Sequence, residues 1–138
     1  MAEQVTMMSY SQDIKDAEKP KPLPSGQYRG VVRSAECKMS GKGKKYIAVV
    51  LNISPDQYPA DFTDGNPDGT TMTWGRTSGE DTPQGRWQVK KLFSDFGAPM
   101  PGKEVDLNQL LSREVIIDVK HETYQGEIQA NIDKLTRV

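Results

Sequence analysis

The chain holds a single cysteine, Cys37, and a single histidine, His121. One thiol cannot close an internal disulfide, which suits a reducing compartment. One imidazole leaves no supply for Cys/His metal clusters and no spare partner for a Ser–His–Asp set. Charge of one sign is lacking too. Eighteen basic residues meet 19 acidic ones, for a formal net charge of −1. No global field draws the protein to polyanions, so affinity for nucleic acid has to come from local clustering. No run reaches the roughly 18 apolar residues that a spanning helix needs. The opening "MAEQVTMMSYSQDIKDAEK" has no apolar core of a signal peptide. These absences lead us to expect a protein of the cytoplasm with no membrane association. Hydrophobic residues make up only 35% of the 138, so part of the chain is expected as loop or tail.

What is present falls into two parts. Residues 1–25 are polar and end in "KPKPLPS", where Pro20, Pro22 and Pro24 favour an extended strap. They are expected to form a flexible arm and linker, held off the domain. Met7, Met8, Tyr10 and Ile14 give this arm an apolar cluster, which suggests docking on a neighbouring protomer or a partner. Residues 26–138 read as one domain. "GQYRGVVRSAECK" is a strand, with Gly30 as its bend or bulge. Ile47, Val49, Leu51 and Ile53 alternate with Tyr46, Ala48, Val50 and Asn52 and make a second strand with an apolar inner face. "TTMTWG" is a third. Thr82 and Pro83 can start a helix whose face carries Val89, Leu92, Phe93 and Phe96, and Gly97 stops it. Arg86, Lys90 and Lys91 fall on its solvated side. "VDLNQLL" adds a short helical turn. "EVIIDVKH" and "EIQANIDKL" are the last two strands, the latter with Ile128, Ala130 and Ile132 on one side. Five strands with one helix between the third and fourth match the order of a five-stranded OB-fold barrel, a mainly β class.

The segment "SGKGKK" turns from the first strand to the second. Its spacing is not that of a phosphate-binding P-loop. A hairpin uses the glycines but has no need of Lys42, Lys44 and Lys45. With Lys38 before them and Tyr46 after, they supply a positive track beside an aromatic. Proteins that hold single strands combine a positive groove with stacking platforms. Trp74 and Arg76 on the third strand, and Lys120 and Tyr124 around the last turn, complete the set expected to bind nucleic acid. The competing reading is a hairpin turn made soluble by its lysines. Of the two tryptophans, Trp87 at the helix start is the one expected to be buried. The loop with Asp56, Asp61, Asp64 and Asp68 repels phosphate and is expected to stand away from the bound strand. Its "DGNPDG" resembles the start of a calcium loop, but the closing glutamate position is Gly75. His121 and Glu122 are strand neighbours facing opposite ways. No nucleophile–base set, metal or cofactor site emerges, so a non-enzyme is expected.

The stretch "PLPSGQYRGVVRSAECKMSGKGKKYIAVVLNI" resembles the opening of a family of small phage-encoded OB-fold proteins that bind, or look built to bind, single-stranded DNA. The shared positions are Pro24, Gly26, Tyr28, Glu36, Lys38, Ser40, Gly41 and the run Ile47 to Ile53. Trp74, the helix with "LFSDFG", "VDLNQLLSREVIIDV" and "HETYQGEIQANIDKL" continue the likeness through most of 20–138. The resemblance implies a homo-oligomer in the host cytoplasm that binds single-stranded DNA in replication or recombination and meets the proteins of those processes. The sequence ends "DKLTRV" rather than in an acidic tail, so recruitment through such a tail is not expected. Two other functions fit the same barrel: a structural or accessory virion protein, and an adaptor that binds a host protein.

Overall fold

The computed structural model describes residues 6–138. Its elements run β1 (Gly26–Met39), β2 (Lys45–Ile53), β3 (Thr70–Ser78), α1 (Pro83–Asp95), β4 (Glu114–Tyr124) and β5 (Glu127–Arg137). Short 3₁₀ turns cover Ile14–Asp16, Pro55–Gln57 and Leu107–Leu110. The strands form one antiparallel sheet in the order β3-β2-β1-β4-β5. The edge strands β3 and β5 come into contact and both touch α1, yet no ladder joins them among the described residues. No helix of the described residues is long and apolar enough to cross a membrane.

The core follows from the alternation. Val49, Leu51 and Ile53 of β2 and Val115 and Ile117 of β4 point to one face and are fully buried. Helix α1 covers that face with Leu92, Phe93 and Phe96. Its start is fixed by the Thr82 hydroxyl, which accepts from the Gly85 N–H at 3.0 Å, with Pro83 in the first turn. Its end is fixed by Gly97, whose φ of 64° a residue with a side chain adopts only at a cost.

Three strands break strict alternation with a bulge. The β1–β2 register shifts between Val32 and Ser34, the β2–β3 register between Ile47 and Val49, and the β4–β5 register between Asp118 and Val119. The extra residues are Arg33, the pair Gly75–Arg76 against Ala48 alone, and Asp133. Each bulge sets two inward residues three apart instead of two: Val32 and Ala35, Trp74 and Thr77, Ile132 and Leu135. Bulges of this kind strengthen twist and bend the strand. Gly30 is not one of them, contrary to expectation. It sits on the inner face, where an added Cβ would collide with Ile117 Cδ1. Its role is to let β1 and β4 close on a full-sized isoleucine. Ile128 also departs from expectation. It is exposed, because the β4–β5 hairpin runs past the start of β1, and Leu135 takes the core position instead.

The strap is the largest correction. Residues 1–25 are not all held off the domain. Leu23 is only 3% exposed and belongs to the core. The Leu23 carbonyl lies 2.8 Å from His121 Nε2, and the Tyr28 hydroxyl donates to the Pro24 carbonyl at 2.8 Å. The Lys21 N–H donates to Asp64 at 2.7 Å, and Lys19 pairs with Glu127. The prolines pre-extend this segment for docking rather than for spacing. Leu23→Ala should therefore cost about 2–5 kcal/mol of stability, the range for emptying a buried leucine site. Deleting residues 1–18 should leave the melting temperature nearly unchanged. Thermal unfolding followed by circular dichroism checks both, and equal effects of the two changes would contradict the docked strap.

The acidic loop folds on itself. Tyr58 and Phe62 meet edge to face at 5.3 Å between ring centroids, and the Tyr58 hydroxyl lies 2.8 Å from Thr70 Oγ1. The Gln57 side chain accepts from the Arg29 N–H and donates to its carbonyl, both at 2.7 Å. An amide side chain thus takes the place of a strand where β1 has left β2. This loop leaves the far end of β2 from the lysine turn, so a strand length, on the order of 25 Å, separates the two.

Candidate nucleic-acid interface

The lysine turn is built on Ser40. Its N–H donates to the Lys44 carbonyl at 2.8 Å, its carbonyl accepts from Gly43 at 2.9 Å, and its hydroxyl accepts from the Lys44 N–H at 3.2 Å. Gly43 carries the left-handed φ of 76° that the turn requires, whereas Gly41 has no such need. The local geometry therefore explains one glycine and one serine. It explains none of the lysines.

Lys38, Lys42, Lys44 and Lys45 are exposed, and none makes an ion pair among the described residues. Lys38 and Tyr46 are direct cross-strand partners. Tyr46 shares the outer face of β2 with Ala48 and Val50. Beside its ring stands Gly75, where even an added Cβ would sit 3.7 Å from Tyr46 Cε2. Glu80 stands beside the turn, and its Oε1 accepts from the Lys45 N–H at 2.8 Å. The arrangement is a half-buried aromatic with Lys38 across from it and Lys42, Lys44 and Lys45 on the turn before it, while Glu36, opposite Ala48, shares the same outer face.

The other expected site residues lie elsewhere. Trp74 pairs with Val49, so it faces inward, opposite to Tyr46. It is half-buried against the core, its indole N–H donates to Thr77 Oγ1 at 3.1 Å, and the Arg76 guanidinium lies over its ring at 5.3 Å. The pair Trp74–Arg76 therefore closes a recess of about 130 Å³ between β3 and α1. Tyr46 and Trp74 do not form one stacking platform. Lys120 and Tyr124 stand on the β4–β5 hairpin, past the start of β1, while the lysine turn follows its end. Lys120 is held by Asp133 at 3.0 Å and Glu122 at 3.4 Å, which raise its pKa, the Asp133 hydrogen bond most. Its charge is matched locally. Tyr124 is exposed at the hairpin tip.

Two residues change standing. Trp87, expected to be buried, is 59% exposed, because the apolar stripe of α1 passes through Val89, Leu92, Phe93 and Phe96 and leaves position 87 outside. Arg33, which the period-two pattern passes over, is an exposed cation at the β1 bulge with no ion pair among the described residues. The three-residue spacing of Val32 and Ala35 is the signal that points to it. No group of three or more metal-ligating side chains gathers among the described residues. No protein-family model matches the chain, and no curated protein matches it in sequence.

Proposed function

We propose that this protein is an OB-fold, non-sequence-specific single-stranded-DNA-binding protein of a phage, acting on transient single strands during DNA replication or recombination. It is a binding protein and not an enzyme. The observation that carries the reading is the set of four unpaired lysines around Tyr46 at the β1–β2 turn. In OB-folds that loop borders the ligand face, and the strand order with one helix between β3 and β4 supports such a barrel. Lysines on a turn follow a phosphate backbone, and the ring of a half-buried aromatic takes a base without reading its edges. The acidic loop lies a strand length away and leaves this field undisturbed.

A fluorescence titration with oligothymidine at two salt concentrations tests the proposal. Affinity should fall with salt, with a slope of about −0.7 per phosphate neutralised. An absence of binding at low salt, or binding indifferent to salt, would overturn it. The faces of the two aromatics separate their roles. Tyr46→Ala should weaken binding by roughly 1–3 kcal/mol, the range for loss of one base–aromatic stack, with little change in melting temperature. Trp74→Ala should instead lower stability by about 2 kcal/mol, part of the cost of a fully buried tryptophan, and leave affinity for the folded protein close to the original. An exchange of these outcomes would move the stacking site to the inner face.

A further inference from the structure

A recess adjoins the lysine turn, since Gly79 and Glu80 of its lining bond to the Lys45 backbone. It is a groove of about 800 Å³ between the first half of α1 and the loop that leads to β4. Clefts of roughly 300–1,000 Å³ take up several side chains of a ligand. Met100 and Val105 line it and are 51% and 43% exposed, large for apolar side chains with no partner. Its charged members do not cancel evenly. Asp81 is paired with Arg86, and Glu80 is bonded to the Lys45 backbone, but Lys90 and Lys103 have no ion-pair partner among the described residues. The groove combines exposed apolar side chains with three basic residues, Arg86, Lys90 and Lys103, against two acidic ones, Glu80 and Asp81.

The chain also carries a segment with the opposite character. Residues 6–18 expose Met7, Met8, Tyr10 and Ile14, at 60–84% each, and none belongs to the core. Among them stand Asp13, Asp16 and Glu18 against the single Lys15. This is an apolar, acidic strip rooted where Lys19 pairs with Glu127. The root lies at the tip of the β4–β5 hairpin. The groove lies at the other end of the sheet, where Gly79 donates to the Lys45 carbonyl beside the last residue of β1. The intervening length of β1 is on the order of 40 Å along the strand. Thirteen residues span that only when fully stretched.

We infer that the groove between α1 and residues 100–105 receives the N-terminal segment of a second copy of this chain, with Met7, Met8 or Tyr10 over Met100 and Val105 and the arm's carboxylates against Lys90 and Lys103. The contact makes a chain of protomers, each arm reaching the next domain. It does not depend on what the Tyr46 cluster binds.

Disulfide trapping tests this directly. In a Cys37→Ser background, one population carries Ser9→Cys and a second carries Gly102→Cys. Gly102 has open space around its Cβ position and an ordinary φ, so the change does not disturb the fold. A third population with Thr71→Cys, exposed on β3, measures random collision. On mixing under mild oxidation, the 9–102 heterodimer should form roughly tenfold or more faster than the 9–71 product, because docking raises the effective concentration. Lys90→Glu with Lys103→Glu should remove that advantage. Equal trapping at positions 102 and 71, or no trapping, would overturn the inference. So would a doubly substituted Ser9→Cys/Gly102→Cys chain that closes an internal disulfide at high dilution and stays monomeric, since the arm would then occupy its own groove. DNA binding plays no part in the readout, so its loss or retention leaves the result untouched.

Discussion

Replacing Lys42, Lys44 and Lys45 together with alanine should flatten the salt dependence of single-strand binding by about two units in log K against log salt. Each lysine that neutralises a phosphate releases counterions and adds about 0.7 to the slope on single strands. Three such contacts give about 2.1, so a fourfold rise in salt should cost the wild-type protein roughly 20-fold more affinity than the variant. The variant should fold normally. The turn hangs on Ser40 and on the Gly43 conformation, and none of the three lysine side chains makes an ion pair or a hydrogen bond among the described residues. A set of titrations between low and moderate salt measures the slope. An unchanged slope with unchanged melting temperature would remove the lysines from the site and leave the turn as a solubilising hairpin. Lys120→Ala offers a contrast, because Lys120 already sits between Asp133 and Glu122. It should change the slope far less than any one of the turn lysines.

Phe93→Ala should have the largest effect on the fold. Phe93 is 1% exposed and belongs, with Leu92 and Phe96, to the apolar face that α1 turns to the sheet. Truncating a buried phenylalanine costs about 3–5 kcal/mol, part lost transfer energy and part residual cavity. For a domain of this size that corresponds to a fall in melting temperature of about 10–20 °C. Site and scaffold separate here: the helix supports the inner face, and Tyr46 with its lysines occupies the outer one. Below the lowered melting temperature, oligothymidine affinity should be close to that of the original protein. A drop in affinity without a drop in stability would place α1 in the interface.

Much of this architecture is legible in the residues. Ile47, Val49, Leu51 and Ile53 repeat with period two because one face of β2 meets the core. Thr82, Pro83 and Gly97 bracket α1 because each satisfies a different end of a helix. What the pattern conceals is where the period slips. A bulge adds one residue and moves the inward positions to a spacing of three, so Leu135 and Thr77 read as outward; Ile128 keeps the inward phase of Ile132 but lies past the start of β1 and is exposed. Tyr46 and Trp74 look equivalent as exposed aromatics at strand positions, and only the pairing of Trp74 with Val49 assigns them to opposite faces. Proline alternation announces an extended strap at Pro20–Pro24 but not its docking. That docking depends on one leucine finding the core and on a carbonyl opposite His121, a residue distant in sequence. Lys120 reads as a free cation because Asp133, the carboxylate that holds it most closely, reaches it only through the β4–β5 pairing; Glu122 stands two residues along β4 itself.

The sheet order also governs how the chain assembles. β1–β2, β2–β3 and β4–β5 join neighbours in sequence, so a three-strand meander and a separate hairpin can each form from local contacts. The ladder of Gly26–Val31 with Glu114–Val119 alone reaches across the chain. Closing that gap of more than eighty residues costs about 4 kcal/mol of chain entropy plus a constant, by the logarithmic loop law. Nothing is returned until several rungs are in place, so folding speed hangs on these six pairs rather than on the rest of the sheet. Gly30 is the fifth of them, opposite Val115 and under Ile117. A side chain at that position would therefore obstruct the one long-range step on which completion of the fold waits, whatever stability the finished domain retained.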